Sequence, residues 1–167
     1  MRGLEDLRQL TKGALAEMRT LLLELHPATL LEKDLSTLLQ QLADSTTGRT
    51  QIPIEVNVDG QMNFPEDVQI ALYRVAQEAL NNVSRHAQAT EVGLRLVCKH
   101  QHATLTIRDN GCGFDASSNG AGMGLEIMRE RITAIGGHLQ LHSEPRIGTT
   151  ITVNWNGESS SRGNDDD

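Results

Sequence analysis

Two glycine-rich clusters separated by a short polar stretch constrain this chain more than any other feature. The first reads DNGCGFD over residues 109–115, and the second reads GAGMGLEIMRER and begins at Gly120. Glycine tolerates positive φ and lets a ligand approach the main chain, and a helix N-terminus presents N–H groups to an anion. The second cluster runs into a helical pattern near Leu125. Together the clusters predict a nucleotide pocket, with Asp109 at a base edge and the second cluster at the phosphates.

An amphipathic helix is predicted upstream, over residues 71–89, because its apolar residues recur at helical spacing, and Pro65 suits the first turn of this helix. Glu78 and Asn82 lie four residues apart on one face, and Arg85 and His86 follow within the next turn. An Asn oxygen suits Mg²⁺, a Glu can orient or deprotonate a nucleophile, and an Arg can meet phosphate charge. Alone, these residues would indicate an ordinary solvated helix face. With the glycine clusters downstream, a site for a metal–triphosphate is favoured.

The order of these motifs resembles a known ATPase superfamily. EALNNVSRHA, DNGCGF, GMGL and GTT follow one another as do the N, G1 and G2 boxes of the gyrase, heat-shock chaperone, histidine kinase and MutL proteins. Within it, the chain resembles the catalytic, ATP-binding domain of sensor histidine kinases of the nitrate-sensor and lipid-desaturase-sensor type. Residues 124–153 read like the segment after the lid in that subgroup. The resemblance spans residues 4 to about 156.

The resemblance implies roles residue by residue. Glu78 would be the carboxylate that polarises the attacking group, and Asn82 the Mg²⁺ ligand. Asp109 would accept a hydrogen bond from the adenine amino group, with Thr149 supporting the adenine site. The other positions implied to bind the nucleotide are Arg85, His86, Gly111, Gly113, Gly120, Gly122, Gly124 and Leu125.

The implied activity is that of a two-component protein-histidine kinase. Mg-ATP would donate its γ-phosphoryl group to a histidine on a bundle helix, for relay to a response regulator, and the full-length protein would be a homodimer. His26 resembles the phosphoacceptor superficially, but Pro27 breaks the helix there. We therefore expect this fragment to lack its own phosphoacceptor. The alternative is a nucleotide-gated interaction module without kinase activity, and a serine kinase is a weaker third possibility.

Composition excludes other classes of function. The net charge of −7 argues against nucleic acid as a partner, since phosphate backbones bind basic surfaces. Cys98 and Cys112 lack the spacing of a metal or redox motif and are expected to be reduced thiols. No segment is apolar enough to span a bilayer, and no signal peptide is recognisable. We expect a cytoplasmic location, with a parent protein that is either membrane-anchored or soluble.

The predicted fold class is α+β, a two-layer sandwich in which helices cover one face of a mixed sheet, as in the Bergerat-type ATP-binding fold. Residues 1–27 are predicted to be the second helix of a dimerisation and phosphotransfer bundle, residues 34–156 the catalytic domain, and residues 157–167 a disordered tail. Residues 46–50 are expected to form a polar loop after a short helix capped by Asp34. Residues 91–99 and 103–108 are predicted to form a hairpin around residues 100–102. The lid between Phe114 and Gly122 is expected to be mobile until nucleotide binds.

Overall fold

The computed structural model describes Thr11, residues 27–115 and residues 122–157. The structure does not describe His26, Gly120, most of the lid or the predicted tail after Gly157, and of the predicted bundle helix it describes Thr11 and Pro27 alone. The elements in chain order are a 3₁₀ turn (Pro27–Leu31), α1 (Leu35–Thr50), β1 (Ile54–Asp59), α2 (Glu66–Asn82), a π-helical turn (Val83–Ala87), β2 (Val92–Lys99), β3 (His102–Asp109), α3 (Met123–Ala134), β4 (His138–Glu144) and β5 (Gly148–Asn156). None of the helices within these ranges is long and apolar enough to cross a membrane.

The five strands form one mixed sheet in the order β1-β2-β3-β5-β4. β1 runs parallel to β2, and the other neighbouring pairs are antiparallel. The predicted hairpin between β2 and β3 is confirmed, and it turns through His100, whose φ is +55°. The predicted α+β class with a mixed sheet is therefore confirmed.

In β2, β3 and β5 the buried side chains alternate with less buried ones, so one face of the sheet carries the core. Leu, Val, Ile and Ala build that core with the α2 stripe at its centre, where Val75 and Ala76 are fully buried. At one end of the inner face, polar residues replace the apolar ones. Register places Asp109, Thr149 and Ser143 side by side in a single row across β3, β5 and β4. This row is where the candidate site is built.

Helix α1 is longer than the sequence predicts. The N-cap at Asp34 is confirmed, since its carboxylate accepts from the Thr37 N–H at 2.9 Å and from the Thr37 and Ser36 hydroxyls. The polar loop predicted for residues 46–50 is wrong, because the helix continues to Thr50. Thr46 and Thr50 satisfy their hydroxyls by donating to the carbonyl four residues back, each at 2.8 Å. Polar composition alone therefore did not mark the end of this helix.

The helix predicted over residues 71–89, with Pro65 suited to its first turn, begins next to that proline and differs from the prediction at its C-terminal end. α2 begins at Glu66, after Pro65, and its α-helical part stops at Asn82, where a π-helical turn takes over. The Val83 N–H donates to the carbonyls of both Ala79 and Leu80, four and three residues back, a shared bond that is common at helix ends. Wider turns of this kind are frequent at functional sites. Here the turn carries Arg85 and His86.

Candidate functional site

A cavity of about 350 Å³ lies between the inner face of the sheet and the helices α2 and α3. Its walls include apolar side chains from both layers, among them Val83, Ile107, Leu125, Met128 and Ile151. Walls of this kind suit a flat, largely apolar ring with polar groups at its edge. Of the residues predicted for the site, the cavity is lined by Asn82, His86, Asp109, Gly113, Gly122, Gly124, Leu125 and Thr149.

Three predicted residues lie beside the cavity without lining it. Glu78 is half-buried on α2, and its carboxylate lies so close to Gly124 that a Cβ there would overlap Oε1. Arg85 is exposed on the π-helical turn, and Gly111 is buried against Ala87. The prediction for Gly120 falls outside the described residues.

Asp109 is the most buried acidic residue among the described ones, with only 6% of its surface exposed. It ends β3, and its Oδ1 accepts a hydrogen bond from the Gly111 N–H at 2.8 Å. A buried carboxylate requires hydrogen-bond partners to offset its desolvation. The bond to Gly111 therefore fixes one oxygen and the orientation of the carboxylate plane, while the residue itself faces the cavity.

The loop after β3 passes between the π-helical turn and the β4–β5 turn. The Cys112 N–H donates to the Ala87 carbonyl, and the Cys112 carbonyl accepts from the Arg146 N–H, both at 2.6 Å. A Cβ at Gly111 would overlap the Ala87 carbonyl oxygen. Gly113 has φ +56°, and a Cβ there would overlap the Glu144 carbonyl oxygen. The two glycines are thus required by close backbone approach on both sides of the loop.

Asn110 has a structural role that the sequence did not reveal. Its Oδ1 accepts from the N–H groups of Thr90 and Glu91 at 2.9 and 3.1 Å, and its Nδ2 donates to the Thr90 hydroxyl at 2.9 Å. These three bonds tie the loop after β3 to the segment that enters β2. Asn between an acidic residue and glycine is typical of turns, and that pattern was the available signal.

Ser143 was also missed. It occupies an inward position of β4, has 8% of its surface exposed, and contacts the loop after β3 and the start of β5 through its hydroxyl. A polar residue at an inward position of an apolar strand needs hydrogen-bond partners, and this was the signal that could have identified it.

The opposite end of the cavity is more open. Asn82 and Gly124 are half-buried, and His86 and Gly122 are exposed. Gly122 is the N-cap of α3, where a glycine supplies no capping side chain, and the Leu125 N–H donates to its carbonyl at 3.0 Å. The N-terminal dipole of this twelve-residue helix favours negative charge at this end.

Cysteine and metal chemistry contribute little to the described part of the site. Cys98 and Cys112 are free thiols, one buried in β2 and one exposed in the lining of the cavity. The described residues contain no group of three or more His, Cys, Asp or Glu side chains that could hold a metal ion. Among the described residues that line the open end, Asn82 offers a neutral side-chain oxygen as a ligand. A single protein oxygen fits Mg²⁺, which commonly keeps several waters and takes its other ligands from a phosphate-bearing substrate.

A family model for histidine kinase-, DNA gyrase B- and HSP90-like ATPases matches residues 67–158, more than half of the chain. The chain is 34% identical over 155 residues to the signal transduction histidine-protein kinase/phosphatase DegS of Brevibacillus brevis, covering 92% of this chain and 40% of the relative. It is 37% identical over 157 residues to the sensor histidine kinase MctS of Rhizobium johnstonii, covering 91% and 33%. The chain thus spans 33% to 40% of the length of these two relatives.

Two solved structures share the fold. The histidine kinase domain of a blue-light activated histidine kinase from Erythrobacter litoralis superposes with a TM-score of 0.61 at 18% identity, covering 75% of this chain and 62% of the other. The histidine kinase AdeS from Acinetobacter baumannii gives a TM-score of 0.62 at 15% identity, covering 90% and 76%. At these identities the likeness concerns the arrangement of the sheet and helices alone.

Proposed function

The chain belongs to the family of histidine kinase-, DNA gyrase B- and HSP90-like ATPases, and from this membership we propose that it is the ATP-binding catalytic module of a sensor histidine kinase. The resemblance to that class is confirmed, and the nitrate-sensor and desaturase-sensor subgroup stays a prediction. In this proposal the module binds Mg-ATP and transfers the γ-phosphoryl group to a histidine on a bundle helix of the same kinase. A response regulator then receives the phosphoryl group, and the full-length protein is a homodimer.

The observation that carries the proposal is the meeting of Asn82, Asp109 and Gly124 around one cavity. These residues come from α2, the end of β3 and the start of α3, so only the fold brings them together. The buried carboxylate stands at one end and the helix N-terminus at the other. A ligand with hydrogen-bond donors on an apolar ring and an anionic tail matches this distribution of charge.

At the closed end, the adenine ring lies between the apolar side chains of the sheet and α3. Gly111 already donates to Asp109 Oδ1, so the remaining carboxylate oxygen accepts from the adenine amino group. Thr149 lies opposite Asp109 in the register of β3 and β5 and lines the same cavity. Its hydroxyl therefore reaches the same edge of the base.

At the open end, the triphosphate faces the N-terminus of α3, and His86 on the π-helical turn adds a donor. Arg85 is exposed on the same turn and places its long side chain at the outer phosphate. Asn82 would hold Mg²⁺, which supplies neutralisation of phosphate charge when bound. Glu78 lies against Gly124 at the first turn of α3, from which it orients the attacking imidazole of the acceptor histidine.

Calorimetric titration of the chain with ATP, with and without Mg²⁺, tests the proposal. Asp109→Asn keeps the side-chain volume but replaces an accepting oxygen by a donating amide, so ATP binding should weaken about 10- to 100-fold. Asn82→Ala should leave binding of metal-free ATP unchanged and abolish the gain produced by Mg²⁺. Asp59→Asn, an exposed acidic residue at the end of β1, is the matched control and should bind as the unaltered chain does.

The results separate the possibilities. Equal ATP affinity in Asp109→Asn and Asp59→Asn would contradict the assignment of the base end. An undiminished Mg²⁺ effect in Asn82→Ala would contradict the metal ligand. Mixing the ATP-loaded chain with a histidine-bearing bundle of the same kinase then tests transfer of the phosphoryl group. Formation of phosphohistidine supports the kinase. ATP binding without transfer supports the nucleotide-gated interaction module.

A further inference from the structure

Ser143 lies just behind the cavity and contacts three groups that shape its closed end. The Phe114 N–H donates to Ser143 Oγ at 2.9 Å, and the Thr149 hydroxyl lies 2.9 Å from the same oxygen. Ser143 Oγ is also 3.3 Å from the Gly148 carbonyl oxygen, which it can reach as a donor. Ser143 itself does not line the cavity, whereas Thr149 does. Ser143 can therefore affect a ligand only by positioning Thr149 or the loop at Phe114.

The number of hydrogens restricts how these contacts are made. A serine hydroxyl has one hydrogen to donate and two lone pairs that accept. The Phe114 N–H can only donate and the Gly148 carbonyl can only accept, so the Ser143 hydrogen goes to Gly148 or to Thr149. If it goes to Gly148, the Thr149 hydroxyl donates to Ser143 and all three contacts are hydrogen bonds. If it goes to Thr149, the Gly148 contact is lost.

We propose that Ser143 is a positioning residue that makes Thr149 a hydrogen-bond acceptor toward the cavity and so selects an amino group on the base. This inference rests on the proposed nucleotide site. With its hydrogen directed to Ser143, Thr149 presents only lone pairs to the ligand. Asp109 stands beside it in the same cross-strand row and also accepts. Two adjacent acceptors match the two hydrogens of an exocyclic amino group.

A carbonyl at the same position of the base would meet two acceptors and no donor. The site should therefore reject 6-oxopurines such as hypoxanthine and guanine more strongly than the buried carboxylate alone would achieve. Leaving buried acceptors without a donor costs more than the loss of one bond, which is why such discrimination can be large. The free rotation of an unrestrained Thr149 hydroxyl would remove this part of the selection, because the same oxygen could then donate.

The test compares dissociation constants for ATP and for inosine triphosphate, in which a carbonyl replaces the amino group. Ser143→Ala and Thr149→Val should each lower the preference for ATP about threefold to tenfold, the value of one hydrogen bond. The double variant should lose no more than either single one, since both act on the same hydroxyl. Thr104→Val removes a hydroxyl that donates to Asn154 at 2.9 Å on the outer face of the sheet, and it should keep the full preference.

A purely structural role for Ser143 predicts a different result. Losing the acceptor for the Phe114 N–H would then weaken binding of both nucleotides by the same factor and leave their ratio unchanged, which overturns the inference. If Ser143→Ala does not fold, Ser143→Cys keeps the volume with a poor donor and acceptor, and the same ratio decides. Failure of the unaltered chain to bind ATP would instead overturn the proposed function together with this inference.

Discussion

The closed and open ends of the cavity contrast in how their geometry is held. At the closed end, Asp109 and Ser143 are buried. The loop after β3 is fixed there by main-chain hydrogen bonds to the π-helical turn and the β4–β5 turn. At the open end, His86 and Gly122 are exposed, and Asn82 is half-buried. In terms of the proposed function, the base end is organised before the nucleotide arrives, while the phosphate end is completed by ligand and metal.

The glycines at the two ends of the cavity differ in the same way. At Gly113, positive φ and the neighbouring Glu144 carbonyl both exclude a side chain, so the backbone itself defines the closed end. At Gly122, φ is −61° and a Cβ would meet no atom of the described residues within 4 Å, so this conformation does not require a glycine. Glycines in one motif thus serve different purposes: those of the first cluster allow close packing, whereas Gly122 imposes no such requirement in this structure.

The largest expected effect is at the closed end. Gly113→Ala should lower the free energy of unfolding by about 3 kcal/mol or more, because it adds left-handed strain to an overlap with the Glu144 carbonyl oxygen. Thermal denaturation measures this loss. Gly93→Ala is the matched control, since a Cβ there meets nothing within 4 Å, and it should change stability by less than about 1 kcal/mol. Similar melting temperatures for the two variants would contradict the inference that the backbone at Gly113 defines the closed end.

Sequence patterns predicted the parts of the molecule that depend on local periodicity. The β2–β3 hairpin and the sheet class arise from alternation, and the glycine clusters led directly to Asp109 and to the start of α3. The π-helical turn was not predictable in this way. Hydrogen bonds between residues five apart produce no repeating pattern of apolar residues in the sequence. On this turn His86 lines the cavity and Arg85 does not, although both side chains are exposed.

Two further features depended on contacts between distant parts of the chain. Ser143 is 29 residues from Phe114, and Asn110 is 20 residues from Thr90, so neither pairing is visible in a local pattern. Each needed the strand register before its partners could be identified. Residues that hold a site together are in this respect harder to find than residues that face its ligand, which carry recognisable motifs.

At the open end we expect a smaller effect that alters the ligand more than the fold. Gly124→Ala should weaken ATP binding about threefold to tenfold, because its Cβ forces the Glu78 carboxylate from its position against α3, and small displacements in a site are costly. The melting temperature should not fall, since alanine favours a helix and the displaced group is a flexible side-chain end. Gly93→Ala, at a position outside the cavity lining, is the control and should bind ATP within about twofold of the unaltered chain. A lower melting temperature for Gly124→Ala with unchanged affinity would mean that the open end is as rigid as the closed one.

The smallest effect concerns a helix remote from both ends. Hydrogen bonds from the Ser36 hydroxyl and from Thr37 lower the pKa of Asp34 to about 2 from its ordinary value of 3.8. Because the folded pKa lies below the unfolded one, this carboxylate stabilises the fold above pH 3.8, and its contribution disappears as the pH falls toward 2. Asp34→Asn keeps a good N-cap but removes the titrating carboxylate. At pH 7 its free energy of unfolding should differ from that of the unaltered chain by less than about 1 kcal/mol, and between pH 4 and pH 2 it should lose less stability. Urea denaturation at pH 7 and pH 3 measures both quantities.

ATP affinity at pH 7 should be the same in both proteins, since α1 contributes no residue to the cavity. A change would show that the closed end depends on the capping of α1 as well as on its own hydrogen bonds.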